Sequence, residues 1–324
     1  MKVNAFDDTF FCYSGIRNNH TKQDLIRTVK GPMSSDLDGL ILSTKALTSE
    51  RMFNCDSSIP PIPFNENIFN STKKLKVGFF TGSGVCQVLP PMKRVVAECA
   101  KHFENLGFEV EEWNPPLLVE CANDYFFEVI LSESGNTMSS ILKKDLVDKS
   151  IAKYIKIFHF PDVIKRILPF WSYFVECGFE KTLYKYITGI RSYDQWKNVY
   201  KNILVARDEI KKSWIKHNFD IVLFPAFTCP AFDSKLIGKI HGACWPTMYF
   251  NLADFPSGVF PYSSLTSQDM NDIQNFQSNQ KYLNKLKTIC KQAEGFPLSV
   301  QIAAMPFKEE KILLAMKNLK NILN

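Results

Sequence analysis

The chain contains 324 residues, of which 45% are hydrophobic and 22% are charged, with 14 Gly and 17 Pro. This composition is ordinary for a globular protein and excludes collagen-like, heptad-repeat and intrinsically disordered chains. The net charge is only +6, from 39 Lys and Arg against 33 Asp and Glu, so we expect no nucleic-acid partner unless that charge is concentrated on one surface. The 27 Phe residues are unusual and favour an apolar groove or a membrane-facing surface.

The N-terminal part of the chain carries few structural signals. Residues 1–30 show no hydrophobic period, so we expect a poorly committed segment there. A helix is predicted over residues 37–47, because Ser34 and Ser35 precede apolar residues at helical spacing and a hydroxyl can cap the free amides of a first turn. The proline-rich residues 59–64 then predict an irregular connector.

A strand–helix–strand unit is predicted next. Residues 76–80 are short and mostly apolar, which is typical of a buried strand. The helix that follows begins at Pro91 and carries apolar residues on one face. Gly107 is expected to end that helix, and residues 109–113 predict the next strand.

The C-terminal part repeats this alternation of strands and helices. A helix is predicted over residues 194–216 and a buried strand over residues 221–225, followed near the end by a strand at 296–304 and a helix at 309–323. Strands that alternate with helices predict an α/β fold, with a mixed sheet flanked by helices in one domain.

The most informative local pattern lies between residues 160 and 175. Large apolar side chains recur there at helical spacing, at Phe160, Val163, Ile164, Ile167, Leu168, Phe170, Trp171, Phe174 and Val175. Lys165 and Arg166 add positive charge, as in amphipathic helices that lie in a membrane interface. The alternative is a pair of core helices, since Pro161 and Pro169 are expected to break the run. The residues alone leave both structures open.

Signals for a nucleophile or a metal are weak. Ser34 and Ser35 near Lys30 imitate a serine–lysine hydrolase site, but serines before a helix are typical caps. Residues 81–84 match neither a nucleophile elbow nor a phosphate-binding loop and predict a turn. The five His are dispersed and the nine Cys have no zinc-ligand spacing. We therefore expect reduced thiols, no metal site and no organic cofactor.

Six segments occur in a characteristic order. They are Gly-Pro-Met-Ser-Ser-Asp-Leu-Asp from residue 31, Pro-Pro-Ile-Pro-Phe from 60, Lys-Val-Gly-Phe-Phe from 76, Asp-Ile-Val-Leu-Phe-Pro from 220, Asn-Leu-Ala-Asp-Phe-Pro-Ser-Gly-Val from 251 and Gly-Phe-Pro-Leu-Ser-Val-Gln from 295. Together they resemble the amidase signature family, and within it the animal fatty acid amide hydrolases most closely. The resemblance covers residues 31–324 and implies an incomplete amidase-signature fold.

This resemblance implies the C-terminal part of an amidase that hydrolyses fatty acid amides and N-acylethanolamines. The family cleaves amides with a serine nucleophile, a bridging serine and a lysine base, all of which precede the Gly-Pro-Met segment. Residues 1–30 contain no Gly-Gly-Ser-Ser-Gly stretch, so we expect no catalytic residue and no activity in this chain. The alternatives are a non-catalytic lipid-binding or scaffolding module at a membrane surface, and a partial product of a gene for an ordinary enzyme.

The resemblance also implies where a lipid amide substrate or a fatty acyl ligand binds. Twelve positions correspond to the wall of an acyl-chain channel, namely Phe127, Ile130, Leu131, Met138, Tyr154, Ile157, Thr182, Tyr186, His241, Cys244, Met248 and Tyr282. Most of them are apolar or aromatic, as a lipid tail requires.

A membrane cap is implied over residues 160–188, the segment already identified by its periodicity. The expected membrane contacts are Phe160, Val163, Ile164, Ile167, Leu168, Phe170, Trp171 and Phe174, with Lys165 and Arg166 at the lipid headgroups. Such a cap would seat the protein peripherally or monotopically on the cytoplasmic side of an intracellular membrane, the endoplasmic reticulum above all. We also expect the protein to form a homodimer.

Overall fold

The strands and helices of the computed structural model are assigned over the part of the chain that it describes. That part comprises residues 3–5, 25–26, 31–55, 59–82, 84, 86–142, 147, 149–175, 179–233, 244–279, 281–291 and 293–323. The strands are β1 (Val3–Ala5), β2 (Met33–Ser34), β3 (Lys76–Phe79), β4 (Glu109–Glu112), β5 (Ile221–Pro225), β6 (Ser257–Ser264) and β7 (Pro297–Ala304).

The helices precede, separate and follow these strands. They are α1 (Leu37–Leu47), α2 (Glu50–Cys55), α3 (Glu66–Phe69), α4 (Pro90–Asn105), a π-helix (Glu120–Tyr125) continued by α5 (Phe126–Ile130), α6 (Asn136–Leu142), α7 (Lys149–Phe158), α8 (Asp162–Val175), α9 (Phe179–Tyr186), α10 (Tyr193–His217), α11 (Trp245–Ala253), α12 (Ser267–Asn275), α13 (Lys281–Ile289) and α14 (Glu309–Leu323).

The strands form one mixed sheet with the order β2-β1-β6-β7-β5-β3-β4. β3 runs parallel to both β4 and β5, whereas β7 is antiparallel to β5 and β6. All five residues of β5 are buried, as expected for a central strand covered on both faces. The predicted α/β fold with a mixed sheet flanked by helices is therefore confirmed.

The N-terminal segment contributes to this sheet and to the core. Val3–Ala5 pair with both β2 and β6, and Leu25 and Ile26 are buried in the main core. The rest of residues 1–30 lies outside the described residues. For those positions the poorly committed segment stays a prediction.

The cap of α1 differs from the prediction. Asp36 caps this helix, because its Oδ1 accepts the N–H of Gly39 at 2.7 Å. Ser34 lies in β2, and its Oγ accepts the N–H of Asp36 at 3.3 Å. The prediction of a serine hydroxyl cap was wrong, because an aspartate accepts the amides of a first turn as well as a serine does.

Aromatic side chains fill the main core. Trp113 and Trp214 meet edge-to-face at 5.7 Å. Phe224 from β5 stacks on Tyr249 of α11, with ring centroids 6.0 Å apart. Part of the aromatic content is therefore used in packing α10 and α11 against the sheet, where each large ring buries much apolar surface.

His102 on α4 makes the main core sensitive to acid. Its ring is buried and lies edge-on to the ring of Tyr262 at 6.1 Å. Burial lowers the pKa of His102 below its ordinary 6.5, and the backbone of Asn318 opposes this only in part. The unfolded chain therefore binds a proton at a higher pH than the folded chain does, so the stability declines as the pH falls below about 6.5.

We expect His102→Gln to reduce this loss of stability. In urea unfolding at pH 7 and at pH 5, the free energy of unfolding of the natural chain should fall further between the two pH values than that of the variant. His159, which is exposed, provides the control as His159→Gln. Equal losses in the natural chain and the His102 variant would contradict a neutral buried imidazole.

Candidate functional site

A second group of buried apolar side chains, which we call the satellite cluster, lies apart from the main core. It contains Phe127, Leu131, Ile157, Phe158, Tyr184, Ile187 and Met248, with Phe126, Leu168, Tyr186 and Cys244 packed at its margin. These side chains come from α5, α7, α8, α9 and α11 and from the turns that follow α5 and α9.

Six of the twelve predicted channel positions meet in the satellite cluster. They are Phe127, Leu131, Ile157, Tyr186, Cys244 and Met248. They are far apart in the sequence, and the fold brings them together because α11 returns beside the π-helix and α5 packs on α9. That these side chains line a channel for an acyl chain stays a prediction.

Three of the other predicted positions lie elsewhere in the structure. Ile130 packs against the main core, and Met138 is exposed on α6. Tyr282 belongs to a third cluster, near Cys229 and Cys290, and its hydroxyl donates to the carbonyl oxygen of residue 87 at 3.0 Å. The structure therefore does not place these three with the six.

Thr182 is buried beside the satellite cluster and is satisfied by a polar partner. Its Oγ1 donates to Oδ1 of Asn123 in the π-helix at 2.8 Å. The structure does not describe the side chain of Tyr154, and it does not describe any part of His241.

A polar group on the π-helix and α9 borders the satellite cluster. Oδ1 of Asp124 accepts hydrogen bonds from Nζ of Lys185 and from the hydroxyl of Tyr186, both at 2.6 Å. Burial, together with the bond to Asp124, raises the pKa of Tyr186 to about 12. Burial also raises the pKa of Glu128, one helical turn further on. No sequence pattern indicated this group, because α9 contacts the π-helix from a position about 60 residues further along the chain.

A tight turn after α5 closes one side of the cluster. Ser134 has a φ of 54°, in the left-handed region, and its Oγ donates to the carbonyl oxygen of Ile187 at 2.6 Å. Gly135 follows with a φ of 74°, and a Cβ atom there would lie 2.4 Å from the ring of Phe158. Only glycine satisfies both conditions at position 135.

Lys165 points into the protein from α8. It is only 5% exposed, and its Nζ donates to Oγ of Ser134 at 2.9 Å. Arg166 is exposed. The expectation that both cations lie at lipid headgroups is therefore wrong for Lys165, because the long side chain reaches across to the turn at Ser134.

The outer side of α8 carries an apolar surface, which we call the α8 face. It consists of Val163, Ile164, Ile167 and Phe170, all of them exposed, with values of 70% for Val163 and 71% for Phe170. Phe160, just before the helix, is also exposed. Leu168 is half-buried and packs on the satellite cluster, and its expected contact with a membrane stays a prediction. The side chains of Trp171 and Phe174 lie outside the described residues.

α8 also differs from the prediction at its prolines. Pro161 precedes the helix, whereas Pro169 lies inside it without ending it. The expected break at Pro169 is therefore wrong, although proline still removes the hydrogen bond that its N–H would give to Lys165. Within the described ranges, none of the helices has both the length and the apolar character needed to cross a membrane. No group of His, Cys, Asp and Glu side chains in these ranges could hold a metal ion.

The family of the chain follows from comparison with known proteins. The family model described as "Amidase" matches residues 12–313, so the chain belongs to the amidase family. It is 26% identical to fatty-acid amide hydrolase 1 of Sus scrofa over 318 residues, which cover 96% of this chain and 53% of that protein. It is 29% identical to fatty acid amide hydrolase 1 of Caenorhabditis elegans over 299 residues, covering 91% and 52%. The protein is thus fatty acid amide hydrolase-like and spans about half the length of these relatives.

Solved structures show the same fold. A fatty acid amide hydrolase structure superposes with a TM-score of 0.73 at 17% identity, covering 100% of this chain and 53% of that chain. A bacterial aryl acylamidase of the amidase signature family gives a TM-score of 0.58 at 14% identity, covering 99% and 58%. The predicted resemblance to the amidase signature fold, over about half of a complete enzyme, is confirmed.

Proposed function

We propose that residues 1–324 form the acyl-binding and membrane-docking part of a lipid amide hydrolase and bind its substrate without cleaving it. One observation carries the proposal. α8 has an exposed apolar face on one side, while Leu168 on the other side packs on the satellite cluster. A lipid that leaves a membrane beside α8 would therefore have only one helix to pass before it meets buried apolar side chains.

The charges around α8 are compatible with docking to a lipid surface. Arg166 and Lys156 are exposed, and Asp162 is paired with Arg191 at 3.0 Å. Cations beside an exposed apolar face attract anionic headgroups while the face itself enters the acyl region. We propose that the protein sits in this way on an intracellular membrane.

Ser134 and Lys165, which meet among the described residues, are poorly arranged for acyl transfer. The hydroxyl of Ser134 donates its proton to the carbonyl oxygen of Ile187, and Lys165 donates to the serine oxygen. A serine nucleophile requires the opposite arrangement, in which a neutral base accepts the hydroxyl proton. This geometry supports binding without turnover in the isolated chain.

We test the proposal with oleamide and the purified chain. We expect saturable oleamide binding by calorimetry, no release of ammonia and no labelling by a fluorophosphonate probe for active serines. Met248→Trp, which overfills the satellite cluster, should weaken binding about tenfold. The matched control is Met33→Trp, at an exposed position, which should bind as the natural chain does.

Each contrary result would overturn a separate part of the proposal. Probe labelling or ammonia release would show that the isolated chain is an active hydrolase. Oleamide binding that Met248→Trp and Met33→Trp leave equally unchanged would exclude the satellite cluster as the acyl site. Binding of oleamide by the chain without any affinity for vesicles would favour a lipid-binding module that does not dock to membranes.

A further inference from the structure

Lys165 is a buried cation that has no counter-ion among the side chains that the structure describes. The hydrogen bond that its ammonium group makes to them goes to Oγ of Ser134, a neutral group. Among the described residues no carboxylate forms an ion pair with it, and the nearest acid along its own helix, Asp162, is paired with Arg191. A charge taken out of water is costly unless an opposite charge or several hydrogen bonds compensate.

The ammonium group of Lys165 has more hydrogen-bond donors than the described residues around it satisfy. An ammonium group has three N–H donors, and Ser134 takes one of them. The serine oxygen has two acceptor lone pairs, of which Lys165 uses one, while its own proton is donated to the carbonyl oxygen of Ile187. Lys165 therefore has donors to spare for an anionic oxygen.

The turn that binds Lys165 borders the satellite cluster. The hydroxyl of Ser134 donates to the carbonyl oxygen of Ile187, whose side chain is buried in that cluster. Leu131 is a further member, and Leu168 of α8 lies at the margin. A ligand whose anionic group meets this ammonium group can therefore place a hydrocarbon chain against the cluster. The combination fits a carboxylate at the end of a long alkyl chain.

We propose that Lys165, oriented by the turn at Ser134, binds the carboxylate of a long-chain fatty acid whose tail lies in the satellite cluster. This inference rests on the proposed acyl site and adds a preference for the acid over the neutral amide. A fatty acid is the product that hydrolysis of a lipid amide releases, so the site would hold the product beside the membrane-docking helix. A carboxylate forms with Lys165 a hydrogen bond in which both partners are charged, whereas a carboxamide oxygen accepts from the same ammonium group as a neutral partner.

Competition between oleate and oleamide tests the proposal on the full chain. We expect oleate to bind about tenfold more tightly than oleamide. Lys165→Met should abolish that preference by weakening oleate alone, and Lys165→Arg should restore most of it. Lys201→Met removes an exposed cation on α10 and should leave the preference unchanged, which makes it the matched control.

Ser134→Gly provides a second variant that is expected to fold, because glycine is favoured at a φ of 54°. It removes the oxygen that orients the ammonium group and should reduce the preference for oleate by about threefold, a smaller effect than that of Lys165→Met. Dodecyl phosphate is included to distinguish carboxylate from phosphate recognition.

The outcomes separate this inference from the proposed function. Equal affinities for oleate and oleamide, or a preference that survives Lys165→Met, would overturn the carboxylate site and leave the acyl site standing. Tighter binding of dodecyl phosphate than of oleate would also overturn it. Failure of the natural chain to bind either oleate or oleamide would overturn the acyl site as well.

Discussion

Replacing the α8 face with serine is expected to reduce the binding of the chain to phospholipid vesicles more than 100-fold. The variant carries Val163→Ser, Ile164→Ser, Ile167→Ser and Phe170→Ser. All four side chains are exposed, and full transfer of one into an apolar phase is worth about 1.5–3 kcal/mol. If half of that is realised on docking, the loss is about 3–6 kcal/mol, which corresponds to more than 100-fold in the partition coefficient. Co-sedimentation with neutral phosphatidylcholine vesicles measures it without a contribution from surface charge.

A matched control separates membrane docking from general hydrophobicity. α10 also carries exposed apolar side chains, among them Tyr200, Leu204, Val205 and Ile215. Serine at those four positions should leave vesicle binding unchanged, because they lie on a different helix. If the α8 variant still binds vesicles like the natural chain, the α8 face does not dock. If instead it loses cooperative unfolding, the face is part of a packed core, which is the alternative that the sequence left open.

Four of the seven strands, β3, β4, β5 and β7, were predicted from the sequence, whereas β1, β2 and β6 were not. β5 is apolar at every position and buried at every position, so a run of apolar residues was a sufficient signal. β3 and β4 were predicted within one residue because a helix and a terminating glycine separate them, although β4 is mostly Glu and is not buried. α12 was missed although Thr266 and Asp269 form a capping box at its start, because the helix has only nine residues and few apolar ones.

Periodicity failed where one helix faces two apolar environments. The pattern in α8 correctly indicates an amphipathic helix, but it does not show that Leu168 packs inward while Val163 and Phe170 remain exposed. Nor can it show that Lys165 turns back to Ser134. These details depend on contacts with the turn at Ser134, about 30 residues earlier, and no local pattern contains that information.

The candidate site depended on resemblance more than on pattern. The six side chains that meet in the satellite cluster lie in or directly beside four helices, α5, α7, α9 and α11. Single apolar residues such as Cys244 and Met248 are typical of any core. Correspondence with a known family was needed to group them in advance. The bonds from Lys185 and Tyr186 to Asp124 were not foreseen, because these residues meet only after α9 has packed on the π-helix.

An ion pair between Arg94 and Asp269 joins α4 to α12 and stabilises the fold. Arg94 on α4 donates through Nε to Oδ1 of Asp269 at 2.7 Å and through Nη2 to Oδ2 at 2.6 Å. Oδ2 also accepts the N–H and the hydroxyl of Thr266, at 2.9 and 2.8 Å. Asp269 thus serves both as the acid of a capping box and as the partner in a two-point ion pair.

We expect Asp269→Ala to reduce the free energy of unfolding by about 3 kcal/mol, near the lower end of what is found when one partner of a buried pair is removed. The aspartate is almost fully buried, while the guanidinium of Arg94 is partly exposed and also bound to Glu98, so water and Glu98 offset part of the loss. Asp272→Ala, on the same helix but exposed, is the control and should change stability by less than about 0.5 kcal/mol. Urea unfolding at pH 7 measures both.

Acid should remove the difference between the natural chain and Asp269→Ala. Burial alone would raise the pKa of Asp269, but the bonds from Arg94 and Thr266 outweigh it and hold that pKa below its ordinary 3.8. Because the folded pKa is the lower one, the stabilisation is complete above the unfolded value and disappears as the pH falls through the folded value. The two unfolding free energies should therefore stay apart from pH 7 down to about pH 4 and converge below it. A difference that persists unchanged at pH 2 would mean that the alanine variant loses packing and not the ion pair.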